Sequence, residues 1–448
     1  MGSQIEALHQ AFLTKHQDPV AWLEQLADKI LSVQRATNAF INLDISRARR
    51  TAEASWRRYR NGTARSTLDG ILVGLKDLFE TANMPTTAGS KILQDHRPSH
   101  DALVVQQLRQ WGANLDLGKL NLHEFAFGPT SASSYFGPVR NPIDSRKMAG
   151  GSSGGSAVAV ATGLMPLALG TDTGGSVRIP AALCGVIGLK PTYDRISRNG
   201  VIPLSWTLDH VGPLSRNLED IAVFYDLLFP QEHVREQMSA EYGTLNVLIP
   251  QGPEGEALDT DLQDRFERAV DAFTRLPGIY LHHAPLPELE RIRAAQMVII
   301  GAEAANYHWQ WLQERPLEYQ PDVRERLIAR STYLAVQYIE GLRARQELMD
   351  LYRGVLGTYD VIVLPTVPIY PPDIDATIVP GYDGQMTDVR NVLLSMTSPF
   401  NLLGLPALSV PVGKNNEGFS VSAQIVGNYG QEGRLLQAAK IWQEALFA

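Results

Sequence analysis

Leu245-Asn246-Val247-Leu248-Ile249 opens the stretch on which the fold class turns. It is a mainly apolar run of strand length. Beyond it, Leu262, Phe266, Ala269, Val270 and Phe273 fall on one face of a helix, and Ile279-Tyr280-Leu281 reads as a second strand. A strand, a helix and a strand in that order imply two parallel strands joined by a right-handed crossover. Such a unit places the chain in the α/β class.

Outward from this unit, further strands are expected at 71–76, 360–364, 407–412 and 419–426. Residues 1–60 read as helices, with Leu23, Leu26, Ile30 and Leu31 at helical spacing, and the polar turn Asn61-Gly62-Thr63 closes that segment. Ser99 is placed to cap a helix that carries Val104, Leu108 and Trp111 on one face. Ser156-Ala157-Val158-Ala159-Val160-Ala161 is apolar all round, as in a helix buried on every side. Neither a repeat nor a low-complexity linker divides the chain. The expectation is a helical segment over 1–60 packed on one large α/β domain over 61–448.

Composition narrows the function classes. The chain has 448 residues, 44% hydrophobic and 20% charged, with a formal net charge of -8. A protein that tracks a phosphate backbone needs a basic face; Arg47, Arg49 and Arg50 read as one solvated helix face instead. No nucleic-acid partner is expected. The longest apolar stretch, 157–169, is interrupted by Thr162, Gly163 and Pro166 and is shorter than the roughly 20 residues a spanning helix needs. No membrane partner is expected, and the first 30 residues lack a secretory pattern. Cys184 is the sole cysteine, so no internal disulfide can form; it sits in an apolar run and reads as a buried packing thiol. A cytoplasmic location follows as the expectation.

Two glycine-rich stretches carry the chemistry: Gly150-Gly151-Ser152-Ser153-Gly154-Gly155-Ser156, and 170–182 with Asp172-Thr173-Gly174-Gly175-Ser176-Val177-Arg178 inside it. Serines between glycines put hydroxyls beside accessible backbone N–H groups, which suits a nucleophile with an oxyanion hole. Neither stretch ends in the Gly-Lys-Ser or Gly-Lys-Thr of a phosphate loop. Gly150-Gly151-Ser152-Ser153-Gly154 formally matches a nucleophile elbow, but no apolar strand precedes it and the last histidine is His308. Lys76 ends an apolar run. It reads either as a snorkelling strand-end lysine or as a base whose ammonium form burial disfavours. His96 and His100 stand four apart, with Pro98 between them and no third ligand evident, so no metal is expected. Tyr307, His308, Trp309 and Trp311 form an aromatic group read either as pocket lining or as packing.

Together these residues resemble the amidase signature family. The likeness runs through Gly74-Leu75-Lys76-Asp77-Leu78-Phe79, both glycine-rich stretches, Asn121-Leu122-His123-Glu124-Phe125-Ala126, Cys184-Gly185-Val186-Ile187-Gly188-Leu189-Lys190-Pro191-Thr192 and Leu208-Asp209-His210-Val211-Gly212-Pro213. It returns in Leu364-Pro365-Thr366 and at 401–407. The resemblance implies a mixed, twisted sheet covered by helices on both sides. It implies Ser176 as nucleophile, Ser152 as bridging serine after a cis peptide, and Lys76 as base. The N–H groups of Thr173, Gly174, Gly175 and Ser176 would form the oxyanion hole, with Ser153, Asp172 and Arg178 supporting the serines. No cofactor is implied. Three positions depart from the family pattern: Asp194 where glycine is usual, Asp116 in what is usually an apolar strand, and Ser422 within Val421-Ser422-Ala423-Gln424.

The resemblance leaves three functions. The preferred one is a free-standing hydrolase, monomeric or homodimeric, acting on a small or medium amide, with carbamates (urethanes) and esters open to the same chemistry. The second is the glutaminase subunit of a tRNA-dependent amidotransferase. The region at 313–330 lacks the arginine-bearing segment expected to hold a glutamine carboxylate. The third is a non-catalytic binding member, against which the filled triad positions argue.

Overall fold

The computed structural model describes residues 2–253 and 255–447. Its strands are β1 (Phe40–Leu43), β2 (Val73–Lys76), β3 (Gly118–Leu120), β4 (Leu167–Asp172), β5 (Ile187–Lys190), β6 (His210–Ser215) and β7 (Leu245–Pro250). They continue as β8 (Ile279–Ala284), β9 (Val361–Pro365), β10 (Ile378–Pro380), β11 (Met386–Asp388), β12 (Ala407–Lys414) and β13 (Ser420–Val426). Eleven of them form one sheet in the order β1-β3-β2-β4-β6-β5-β12-β13-β9-β7-β8, and β10 and β11 make a separate ribbon.

The strand-helix-strand unit is present. β7 and β8 pair in parallel from Leu245↔Ile279 to Pro250↔Ala284, with the helix Thr260–Thr274 between them in sequence. That helix buries Leu262, Phe266, Ala269 and Phe273, the apolar stripe its spacing predicts. β2 is parallel to both β3 and β4, whereas β4 with β6, β5 with β6 and β12, and β13 with β12 and β9 are antiparallel. The sheet is therefore mixed, as expected.

β4, β5 and β6 are buried along their whole length. The sequence reading did not find these three, whose short runs carry Gly170, Gly188 and Gly212-Pro213, residue types that weaken a strand signal. The helix Gly154–Ala161 packs on β2, β4 and β6 and is buried from Gly154 to Val160. Its small residues permit the close approach: a Cβ on Gly155 would lie 2.6 Å from Asn121 N and 2.4 Å from Ala39 O.

Within 2–60 lie the helices Gln4–Leu13, Pro19–Thr37 and Ile45–Arg60, and between the second and third runs β1, an edge strand that a purely helical reading overlooked. Asp18 caps the second helix, accepting from Val20 N at 2.9 Å and Ala21 N at 2.8 Å. The helix expected after Ser99 runs Leu103–Gln110 with Ala102 at its N-cap; Ser99 pairs with His100 Nδ1 at 2.8 Å instead. No described helix is long and apolar enough to cross a membrane.

Candidate active site

β2 and β4 run parallel as sheet neighbours, so their carboxyl ends lie at the same edge of the sheet. Lys76 is the last residue of β2, and Asp172, the last of β4, leads directly into the 173–177 loop. Open α/β sheets place their ligands beyond such ends.

Lys76 is fully buried. Its ammonium donates to Ser152 Oγ at 2.7 Å, Thr171 Oγ1 at 2.8 Å and Ser153 Oγ at 3.0 Å. Burial brings its pKa down to about 7, against the opposing pull of Asp209 and Asp172. Three neutral hydroxyls hold the group in place, and none of them supplies the charge that would keep it protonated.

Ser152 follows a cis peptide from Gly151. Its carbonyl accepts from His123 N and from Ser131 Oγ, each at 3.2 Å. Ser153 Oγ donates to Thr171 O at 3.2 Å, and its N–H donates to Ser176 O at 3.1 Å. That backbone bond joins the two serine-bearing loops. The structure shows no hydrogen bond from the Ser176 hydroxyl to another described side chain. Ser176 is 5% exposed, so its hydroxyl lies at a nearly closed surface.

The loop before Ser176 is wound around the Asp172 carboxylate. Asp172 accepts from Gly175 N at 2.7 Å and Val177 N at 3.1 Å and forms a buried ion pair with Arg178 at 2.9 Å. Burial opposes the charge of Asp172, yet Arg178, the more distant Lys190 and Asn401 together hold its carboxyl below the ordinary range. Arg178 also donates to Thr397 O at 2.9 Å, Gln424 Oε1 at 2.5 Å and Asn401 Oδ1 at 2.6 Å. Thr397 Oγ1 donates to Gly174 O at 2.7 Å. Because Asp172 takes the Gly175 N–H, that donor is engaged within the chain.

Other residues singled out in the sequence lie elsewhere. Cys184 is buried, donates to Ala149 O at 3.3 Å, and burial pushes its thiol up. His308 meets the Phe125 ring at 4.3 Å and Tyr319 OH at 2.9 Å, and Trp311 stacks on Phe125; these aromatics pack together, while Trp309 is exposed. His96 stands 3.6 Å from Glu80, and no group of three or more metal-ligating side chains occurs among the described residues. Asp194 adopts φ +63°, the conformation that favours glycine, and pairs with Arg198 at 3.0 Å. Asp116 lies in the turn before β3 rather than in a strand, where it accepts from Thr51, Asn83 and Arg109. Ser422 pairs with Ser420 Oγ at 2.9 Å.

Sequence reasoning missed Thr171, Thr397 and the roles of Asn401 and Gln424. Asn401 and Gln424 sat in stretches already noticed. Thr397 carried no signal, since its contact joins residues more than two hundred positions apart.

The Amidase family model matches residues 21–436. The chain belongs to this family, the amidase signature enzymes. AtzE of Pseudomonas sp. strain ADP, which forms part of a 1-carboxybiuret hydrolase, is 34% identical over 416 residues, 91% of each chain. A component of the glutamyl-tRNA(Gln) amidotransferase of Halorhodospira halophila is 35% identical, covering 94% of this chain and 92% of its own. A crystal structure of an amidase superposes with a TM-score of 0.91 at 35% identity, over 99% of both chains. This amidase is an amide-hydrolysing enzyme with the fold of its relatives.

Proposed function

We propose that the chain hydrolyses the C–N bond of a small or medium amide through Ser176, Ser152 and Lys76. The observation that supports this most directly is that Lys76 is fully buried and bonded to Ser152 Oγ at 2.7 Å, burial bringing its pKa down to about 7. A lysine free to be neutral at pH 7 can take a proton that an ordinary lysine cannot.

Ser176 Oγ attacks the substrate carbonyl carbon. Its proton passes to Ser152 Oγ, and the Ser152 proton passes to Lys76 Nζ. The carbonyl oxygen becomes an oxyanion, stabilised by backbone N–H groups of Thr173, Gly174 and Ser176; Gly175 can join them only by leaving Asp172. The C–N bond then breaks, and the amine leaves with a proton returned from Lys76 through Ser152. Water attacks the resulting acyl-enzyme by the same relay and releases the acid. Asp172, Arg178 and Ser153 hold the two serine loops together.

Carbamates and esters present the same carbonyl to the same nucleophile and are proposed as further substrates. The test is product release from aliphatic amides, aryl amides, esters and carbamates. Ser176→Ala is expected to abolish turnover of every compound the wild type accepts; activity in that variant would remove Ser176 from the mechanism. The similarity to an amidotransferase component supports a second reading, that of a glutaminase working within a larger assembly. Glutamine hydrolysis that depends on added partner proteins would favour it over the free-standing enzyme.

A further inference from the structure

The peptide unit between Gly174 and Gly175 lies in the middle of the nucleophile loop, and side chains hold both of its polar ends. Its carbonyl oxygen accepts from Thr397 Oγ1 at 2.7 Å, and its N–H donates to Asp172 Oδ1 at 2.7 Å. The unit before it carries the Gly174 N–H and the unit after it carries the Ser176 N–H. Those are two of the donors proposed to meet the oxyanion.

Such a unit needs holding. Neither Gly174 nor Gly175 has a Cβ, and Gly175 stands at φ +137°, so the chain itself does little to stop this peptide from rotating. Rotation through half a turn would exchange its two ends. It would bring the carbonyl oxygen against the Asp172 carboxylate, acceptor against acceptor, and take the acceptor away from Thr397. Asp172 and Thr397 therefore select the same orientation. They are also joined to each other: Arg178 pairs with Asp172 at 2.9 Å and donates to Thr397 O at 2.9 Å. Thr397 is fully buried, and its N–H donates to Leu394 O at 3.3 Å. Asp172, the clamped peptide, Thr397 and Arg178 thus close a ring of hydrogen bonds.

We propose that Thr397 is a positioning residue for the oxyanion hole. It acts through Gly174 O, fixing the peptide that separates the Gly174 and Ser176 donors. This inference rests on the Ser-Ser-Lys reading, in which Ser176 attacks and these N–H groups meet the oxyanion. The hydroxyl is what counts: serine can make the same bond, whereas valine, of nearly the same shape, cannot. With valine the buried Gly174 carbonyl loses its donor, and the unit is free to turn toward another. Developing charge is stabilised by donors already in place. The loss therefore falls on the transition state rather than on substrate binding.

The experiment compares wild type, Thr397→Val and Thr397→Ser, using an amide the wild type hydrolyses and phenylboronic acid, which adds to a serine hydroxyl as a tetrahedral anion. Thr397→Val is expected to lower kcat about a hundredfold with KM little changed, and to weaken phenylboronic acid at least about tenfold. Thr397→Ser is expected to restore both. A folded Thr397→Val with kcat and boronate affinity near those of wild type would overturn the inference, and so would a Thr397→Ser as impaired as Thr397→Val. A second measurement needs no substitution and serves if Thr397→Val does not fold: hydrogen exchange at the Gly175 N–H. Protection is expected, and exchange as fast as that of an open loop would overturn the clamp. Ser176→Ala tests the reading beneath. Phenylboronic acid bound as tightly by this variant as by wild type would remove the serine from the mechanism, whereas failure of the clamp alone leaves the variant blind to the boronate.

Discussion

At the scale of the residue, Lys76 carries the conflict between stability and chemistry. An unfolded lysine holds its proton to about pH 10.4, whereas folded Lys76 gives it up near 7. The unfolded chain therefore binds more protons between those values. The penalty to folding grows as pH falls through that window and is full below pH 7. Lys76→Met should be inactive yet unfold at a higher temperature than the wild type near neutral pH. The gap should narrow as pH rises toward the unfolded value, and thermal denaturation at several pH values checks it. A variant destabilised at every pH would mean that the hydroxyls of Ser152, Ser153 and Thr171 need their donor more than the fold resents the charge. By the same titration, wild-type activity should rise with pH through about 7.

At the scale of the element, the loop between β4 and the helix Arg178–Cys184 has almost no freedom to vary. Gly175 adopts φ +137°, and a Cβ there would lie 2.2 Å from Thr397 Oγ1. The contact is with a side chain that itself holds Gly174 O, so neither partner can move without the other. Gly175→Ala should lower kcat at least about a hundredfold, because small displacements of a reacting group cost that much. Kinetics should show the loss while circular dichroism shows the sheet intact. Activity within a few-fold of wild type would mean that the loop relaxes without moving Ser176.

At the scale of the whole molecule, Arg178 is the tie. From one buried guanidinium it reaches Asp172 at the head of the nucleophile loop and Thr397, Asn401 and Gln424 from the last part of the chain. β12 pairs with β5 and β13 with β12 in the same sheet, so late segments of the chain support a site whose reactive residues come from the first half. Arg178→Met leaves Asp172 buried without its cation and should cost about 3–5 kcal/mol of stability. Chemical denaturation measures this; a loss under about 1 kcal/mol would show that Asn401 and the backbone N–H groups suffice for Asp172.

By itself, the sequence determined the α/β class and the parallel pair β7–β8, because apolar spacing is a local signal and one exposed helix face makes it readable. It also determined the two serine loops and the strand-end lysine, because glycine density and a lysine inside an apolar run are visible without contacts. Only the tertiary structure decided that β4, β5 and β6 are strands, since Gly170, Gly188, Gly212 and Pro213 weaken their local strand signal and pairing within the sheet supplies the rest. It alone brought Thr171 to Lys76 and engaged the Gly175 N–H with Asp172. Each of these joins groups whose approach depends on the folded backbone, and no local pattern records a distance that folding creates.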